Sequence, residues 1–232
     1  MPQYLISAPL EELGMMEILE PAIDSADTCL PDHLLNCPPL LIVISGPSGV
    51  GKDAAVNRMK DLGLPFHFVV TATDRPKRPG EVHGVDYLFL STEEFDRLIE
   101  EDELLEWAVV YGNYKGIPKE QIRRAMATGK DIVLRIDVQG SATIKQIVPD
   151  AVFIFLAASD MDELMDRLEA RKTENGIDLG RRKTTARKEM EQLALFDYVV
   201  VNRDQALDTT VDEIRCIIHA EKAKVVPRQV TV

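Results

Sequence analysis

The sequence predicts an α/β fold in which helices cover both faces of a parallel β-sheet. Apolar segments at 41–45, 131–137, 152–156 and 198–201 are typical of buried strands, and β-branched residues are frequent in them. Helical patterns separate most of these segments, as expected when parallel strands are joined by crossover helices. A glycine-rich turn follows the first strand and leads into a helix, which is a common arrangement for binding phosphate.

The remaining elements follow from local signals. Ser91 and Glu94 form a capping-box pattern that predicts a helix reaching residue 101, and Gly63 with Pro65 ends the first helix. The two prolines and one glycine of 71–81 exclude regular structure there, and residues 111–116 are rich in turn formers. Helices are predicted at 53–62, 121–128, 160–171, 181–195 and 209–222, and further strands at 66–70, 87–90 and 104–110.

The domain organisation follows from the spacing of these elements. The short strands between residues 66 and 110 have no long helices between them, which favours a small mixed α+β subdomain at about 71–130, inserted after the first βα unit. Residues 1–39 hold seven acids and no Lys or Arg, and predict an acidic N-terminal extension without a specific role. Residues 40–224 form the main domain and residues 225–232 a C-terminal tail.

Composition excludes several classes of function. The net charge of −12 argues against a general nucleic-acid binder, which needs a basic face. No apolar stretch approaches the roughly 20 residues of a membrane span. The three cysteines have no metal-ligand spacing and favour free thiols in a reducing compartment, which predicts a cytoplasmic location. The acidic first 39 residues fit neither a secretory signal nor a transit peptide.

The glycine-rich turn reads as a P-loop with one unusual position. It matches G-x-x-x-x-G-K, but Asp53 stands where Ser or Thr is expected. The backbone of such a loop points N–H groups at phosphate oxygens, and Lys52 adds a full positive charge. The sequence therefore predicts a nucleoside triphosphate site. Its residues are Gly46, Pro47, Ser48, Gly49, Val50, Gly51, Lys52 and Asp53.

Two acids are candidates for the chemistry. Asp137 ends an apolar strand, as does an acid that binds Mg²⁺ in P-loop proteins, although an exposed strand-end acid would look the same. Glu106 lies inside an apolar strand, where a carboxylate is costly unless it is paired. It either faces solvent or recognises a base, since a carboxylate can accept both N1–H and N2–H of guanine.

Two basic segments are candidate phosphate sites. Arg75, Lys77 and Arg78 form a proline-stiffened cationic loop, which is either a second phosphate site or a solvated basic loop. Arg167 and Arg171 are spaced i,i+4, so their like charges repel on one helix face. This spacing favours a role for residues 167–188 as a mobile lid whose cations bind phosphate during transfer. The alternative is a solvated basic helix with Glu163 and Glu169 as partners. The lid holds eight basic residues: Arg167, Arg171, Lys172, Arg181, Arg182, Lys183, Arg187 and Lys188.

With these motifs in order, residues 40–224 resemble a guanylate kinase. The resemblance covers about four-fifths of the chain and runs through SGPSGVGK, TATDRPKRPGE, GVDYLF, LEWAVVYGNYKG, IDVQG, RLEARKTE and VVVN. It implies the reaction ATP + GMP ⇌ ADP + GDP, with Mg²⁺, a GMP-binding inserted subdomain and a helical lid. The alternatives are a non-catalytic interaction module of the same fold and a related P-loop kinase with another small phosphorylated acceptor.

The resemblance also implies a role for each site residue. Lys52 and the loop backbone would bind the ATP phosphates, Asn202 would lie near the adenine, and Asp53 and Asp137 would be near Mg²⁺. The catalytic cations would be Lys52, Arg75, Arg167, Arg171 and Arg182. The GMP site would contain Thr71, Arg75, Arg78, Glu81, Tyr87, Glu106, Lys115 and Asp137.

Three positions depart from the family pattern. Asp53 replaces a hydroxyl residue, Lys115 replaces a phosphate-binding tyrosine, and Ile117 replaces a hydroxyl residue that would bond guanine O6. The runs GPSGVGKDA and YGNYKGIPK resemble the plant-organelle branch of the family. An organelle stroma or matrix is therefore the alternative location.

Overall fold

The computed structural model describes residues 37–110, 112–170 and 179–231, with the backbone alone at Val110, 168–170 and 179–184. Most of the predicted acidic extension and part of the predicted lid, including Arg171 and the side chain of Arg182, lie outside this description.

The strands are β1 Leu41–Ser45, β2 His67–Phe68, β3 Ala72–Thr73, β4 Leu88–Phe89, β5 Leu104–Val110, β6 Asn113–Pro118, β7 Ile132–Arg135, β8 Val152–Ala157 and β9 Tyr198–Val201. The helices are α1 Lys52–Asp61, α2 Thr92–Glu100, α3 Lys119–Ala127, α4 Val138–Ile147, α5 Met161–Ala170, α6 Leu179–Glu191 and α7 Leu207–Lys222, with a short 3₁₀ helix at Gln192–Leu195.

The central sheet has the strand order β2-β7-β1-β8-β9, and every pairing in it is parallel. This confirms the predicted α/β fold. Strand β1 is buried along its whole length, and its alternate side chains enter two apolar clusters. Ile42 and Ile44 pack with α1 and α7, while Leu41 and Val43 pack with α3 and α4. Because parallel strands share an orientation, all their carboxyl ends meet at one edge of this sheet.

A second sheet has the order β4-β3-β6-β5 and mixes parallel and antiparallel pairs. Its small core centres on Ala72, Phe95 and Leu104. Helix α2 begins at the predicted capping box, in which Ser91 Oγ accepts from the Glu94 N–H and the Glu94 carboxylate accepts from the Ser91 N–H.

Three local predictions were wrong or incomplete. The segment 71–81, predicted to hold no regular structure, contains the short strand β3 at Ala72–Thr73. Residues 113–116 of the turn-rich segment belong to β6, because the chain from Asn113 onward pairs antiparallel with β5. Gly116 permits that pairing, since a Cβ there would come within 3.0 Å of Trp107 and Phe95. The short strand β2 pairs with β7 in the central sheet and is not part of the second sheet.

Helix α4 was not predicted from the sequence. Its first turn contains Gly140, and glycine and β-branched residues are weak helix formers. The helix begins because Asp137 caps it: the carboxylate accepts a hydrogen bond from the Gly140 N–H at 2.8 Å. No helix in the described part of the chain is long and apolar enough to cross a membrane.

The residues after α7 are held on the core by a buried ion pair. The carboxylate of Glu221 is fully buried and accepts from Arg228 Nε at 2.7 Å and from Tyr198 Oη at 2.5 Å. Arg228 also donates to the Ala151 carbonyl at 2.9 Å. Burial by itself would raise the pKa of Glu221, but the hydrogen bonds from Arg228, Lys224 and Tyr198 outweigh it and lower the pKa to about 2.

We expect Arg228→Ala to lower the free energy of unfolding by about 3 kcal/mol, because it leaves a buried carboxylate without its main partner. Urea denaturation at neutral pH measures this loss. The matched control is Arg215→Ala, which removes an exposed i,i+3 pair with Asp212 and should change stability by less than about 0.5 kcal/mol. Equal losses in both variants would contradict a structural role for the buried pair.

Candidate functional site

The glycine-rich loop lies at the carboxyl edge of the central sheet, between β1 and α1. Gly46 and Gly51 have φ angles of +140° and +97°, which other residues rarely adopt. A Cβ on Gly46 would lie 2.2 Å from the Leu156 carbonyl oxygen, and one on Gly51 would lie 2.3 Å from Asn202 Nδ2. Both glycines are therefore required by backbone conformation and by close packing.

Lys52 folds back over the loop that precedes it. Its ammonium donates to the carbonyls of Gly46 at 2.5 Å and Pro47 at 3.0 Å. Burial lowers the pKa of Lys52 to about 8, while the negative charges of Glu189, Asp53 and Asp137 oppose that shift. The loop thus contains a cation surrounded by three acids.

Asn202 and Arg167, two residues predicted to contact nucleotides, form hydrogen bonds with the backbone of the glycine-rich loop. The Asn202 amide donates to the Val50 carbonyl at 2.8 Å and accepts from Thr210 Oγ1 at 3.0 Å. Arg167 donates to the Val50 carbonyl at 3.4 Å and to the Asn202 carbonyl at 3.1 Å, and it also forms an ion pair with Glu163. The ion pair between Arg167 and Glu163 is the one expected under the alternative to a lid, a solvated basic helix. The adenine role of Asn202 and the lid role of Arg167 stay predictions.

Glu106 is buried on β5, with 8% of its surface exposed. Its cross-strand partner is the buried Ile117, and Gly140 lies so close that a Cβ there would be 3.1 Å from Glu106 Oε1. Burial, and then the charge of Asp137, raise the pKa of Glu106 to about 7. Among the residues that the structure describes, none donates a hydrogen bond to this carboxylate. The solvent-facing alternative for Glu106 is therefore wrong.

The basic loop after β3 is organised by Glu81. Its carboxylate accepts from Arg75 Nη1 at 2.8 Å and Arg75 Nη2 at 2.5 Å, and from the Arg78 N–H at 2.8 Å. The hydrogen bond from Arg75 is the main reason that the pKa of Glu81 falls to about 2. Glu81 thus holds Arg75 in a fixed orientation, and its predicted contact with guanosine stays a prediction.

Tyr87 lies at the centre of a group of cations. The Arg75 guanidinium carbon is 4.9 Å from the centre of its ring, that of Arg135 is 5.5 Å away, and Lys115 Nζ is 6.0 Å away. The predicted phosphate residues Arg75, Tyr87 and Lys115 are therefore neighbours. The Thr71 carbonyl accepts from the Leu88 N–H beside β3, and the predicted contact of Thr71 with guanosine stays a prediction.

Two charged residues of the site were missed from the sequence. Arg135 ends β7 and forms an ion pair with Asp53. The Glu189 carboxylate on α6 accepts from the Ser48 N–H at 3.4 Å and acts on Lys52. A cation two residues before Asp137 was a usable signal for Arg135. Glu189 had none, because only the packing of α6 brings it to the loop.

The carboxylates of the site offer oxygen ligands for a metal ion. Asp53 is half exposed in the first turn of α1, and Asp137 follows the last residues of β7. Both act on the pKa of Lys52, so they share its surroundings. Among the described residues, no three or more His, Cys, Asp or Glu side chains are grouped so that they could hold a metal ion by themselves. One or two carboxylates nevertheless suit Mg²⁺, which takes most of its other ligands from phosphates and water.

Comparison with known proteins identifies the family. The guanylate kinase family model matches residues 39–221. The chain belongs to the guanylate kinase family. It is 54% identical over 195 residues to "Guanylate kinase 2, chloroplastic/mitochondrial" of Oryza sativa subsp. japonica, covering 84% of this chain and 68% of that protein.

A bacterial relative and a solved structure give the same family. The chain is 45% identical to a guanylate kinase of Caldanaerobacter subterraneus subsp. tengcongensis, covering 80% of this chain and 89% of that protein. The crystal structure of guanylate kinase from Anaplasma phagocytophilum matches with a TM-score of 0.66 at 30% identity, covering 81% of this chain and 88% of that one. The resemblance predicted from the motifs is therefore confirmed.

Glu106 should make stability depend on pH. The unfolded carboxyl ionises near its ordinary pKa of 4.5, whereas the folded one ionises near about 7. Between these two pKa values the folded state binds more protons than the unfolded state. The contribution of Glu106 to the free energy of unfolding is therefore fully present below the pKa of the unfolded state, and it is lost as pH rises through the pKa of the folded state. We expect wild type to lose on the order of 3 kcal/mol relative to Glu106→Gln across this range.

Urea denaturation of both proteins at several pH values measures this difference, in which the titration of all other groups cancels. Glu101→Gln, at an exposed position after α2, is the matched control and should follow wild type. A stability difference between wild type and Glu106→Gln that does not change with pH would show that Glu106 keeps an ordinary pKa.

Proposed function

We propose that this chain transfers the γ-phosphoryl group of ATP to GMP, giving ADP and GDP. The observation that carries the proposal is the buried Glu106 carboxylate, which lies within electrostatic range of Asp137 at the edge of the P-loop sheet. A buried acid without a protein donor among the described residues suits a ligand that brings its own donors. Guanine offers N1–H and N2–H, which a carboxylate accepts as a pair, and family membership supports this base.

The donor site is the glycine-rich loop. Its backbone N–H groups and the start of α1 would bind the ATP phosphates. A pKa of about 8 leaves Lys52 mainly charged at neutral pH, so its ammonium can exchange the carbonyls of Gly46 and Pro47 for phosphate oxygens. Glu189 must move away from this loop when phosphates bind, because its carboxylate lies against the Ser48 N–H.

The acceptor phosphate would bind at the cations around Tyr87. Glu81 keeps the Arg75 guanidinium oriented, and Lys115 adds positive charge beside the same ring. Arg78 stays a predicted phosphate residue. With the phosphate held there and the base at Glu106, GMP would span from the second sheet to Asp137. Such fixed positioning and charge stabilisation are the main contributions of a protein to in-line phosphoryl transfer.

We also propose Asp53 and Asp137 as the residues that hold Mg²⁺ together with the nucleotide phosphates. The ion would neutralise phosphate charge during transfer. The lid cations Arg167, Arg171 and Arg182 stay predictions, with the role of stabilising the transferred group and excluding water. The rice relative's name favours the organelle alternative for the location of this chain.

An acceptor screen tests the function. We expect ADP release with ATP and GMP to exceed that with AMP, UMP or ribose bisphosphate by at least about 100-fold, because only guanine satisfies a buried carboxylate with two donors. A coupled assay measures it, and dGMP belongs in the same series. Absence of turnover would favour the interaction-module alternative, and a better acceptor than GMP would favour the other P-loop kinase.

Glu106→Gln tests the base contact separately. The substitution replaces one acceptor oxygen by a donor that opposes a guanine N–H, so we expect the KM for GMP to rise by about 100-fold or more. The KM for ATP should change less than about 3-fold, since the P-loop is unaltered. Glu101→Gln serves again as the control. Equal effects on both substrates would refute base recognition by Glu106.

A further inference from the structure

Arg135 lies between the two proposed nucleotide sites. It is the last residue of β7, and its Nη1 forms an ion pair with Asp53 in the first turn of α1. On its other side the guanidinium carbon is 5.5 Å from the centre of the Tyr87 ring, within the usual range of a cation–π contact. One side chain therefore connects the P-loop helix to the cationic group around Tyr87.

The ion pair with Asp53 does not by itself explain this arrangement. Asp53 has 51% of its side chain exposed, and exposed ion pairs stabilise proteins by only about 0–1 kcal/mol. Arg75, Arg135 and Lys115 all lie within 6.0 Å of one ring centre, which brings like charges together.

An anion placed among these cations removes their repulsion. The Arg135 guanidinium has further N–H groups, since Nη1 alone hydrogen-bonds to a described residue. A guanidinium fork matches phosphate oxygens in a bidentate manner. Asp53 thus orients Arg135 through Nη1, and the other N–H groups of this guanidinium donate to no described residue.

We propose that Arg135 is a phosphate-binding residue of the acceptor site and that Asp53 is its positioning residue. The inference rests on the proposed function and adds to it a ligand from the central sheet. The other predicted phosphate residues all lie in the second sheet or its connections. Lys115 is on β6, and the connection between β3 and β4 contains Arg75, Arg78 and Tyr87. Arg135 would thereby tie the acceptor phosphate to the P-loop helix on which the donor binds.

The same pair gives Asp53 a role at a position where Ser or Thr is expected. A carboxylate has about four lone-pair sites, so one Asp53 can accept from Arg135 and still offer an oxygen to a metal ion. Its fixed negative charge at the start of α1 holds the guanidinium near the loop. A hydroxyl would hold it with a neutral and weaker hydrogen bond.

Equilibrium binding of GMP and guanosine, without ATP or metal, tests the proposal. GMP and guanosine differ only in the phosphate. Loss of a residue that binds the phosphate therefore weakens the binding of GMP and not that of guanosine. We expect Arg135→Ala to weaken GMP at least about 10-fold and guanosine less than about 2-fold. Arg135→Lys keeps the charge without the fork and should give a smaller, equally selective loss.

The control is Arg58→Ala, which removes an arginine of α1 that pairs with Asp208 at the surface. It should leave both ligands unchanged. Equal weakening of GMP and guanosine by Arg135→Ala and Arg135→Lys, or no weakening of either, would overturn the proposal. Failure of the proposed function would be visible earlier, as a wild-type protein that binds no GMP.

Asp53→Asn tests the positioning role. We expect it to weaken GMP by about 3-fold on its own and to add nothing in the double variant with Arg135→Ala, because its effect acts through Arg135. Losses that simply add in the double variant would show that Asp53 does not act through Arg135.

Discussion

The position of the Lys52 ammonium is the interaction on which the rest of the site depends. It is buried against two carbonyls of its own loop, with Glu189, Asp53 and Asp137 close enough to support its charge. That geometry needs a loop that folds tightly, which Gly46 and Gly51 permit, and a rigid support behind it. Asn202 and Arg167 supply the support by meeting at the Val50 carbonyl. The buried parallel strands place all these groups at one edge.

The buried carboxyl of Glu106 lowers stability above its raised pKa, and the role proposed for it would account for that cost. A carboxyl beside Ile117 and within range of Asp137 is easier to keep protonated than ionised, and its pKa rises to about 7. The proposed recognition of guanine by Glu106 needs the ionised form. Under that proposal the base provides the donors that the described protein residues lack, so the burial that weakens the empty protein would also make the site selective.

Much of the fold could be predicted because its signals are local. The strands at 41–45 and 198–201 and the capping box of α2 agree with the structure to the residue or nearly so. Strand β6 and helix α4 could not be predicted in this way. Strand β6 exists through its pairing with β5, despite Gly116, and α4 depends on a cap at Asp137 that also reads as a metal ligand. Strand β6 thus forms through a tertiary pairing and α4 through a local cap, each despite weak propensities.

The sequence by itself determined the P-loop motif, the family and the reaction, because these depend on residue types at fixed spacing within short motifs that follow one another along residues 40–224. Tertiary structure alone decided which charges meet. Arg135 and Asp53 are 82 residues apart, and Ser48 and Glu189 are 141 apart, so no local pattern pairs them. Electrostatic interactions act over a few ångströms of space, whatever the distance along the chain. The partners of each charge are therefore set by how the two sheets and α6 come together.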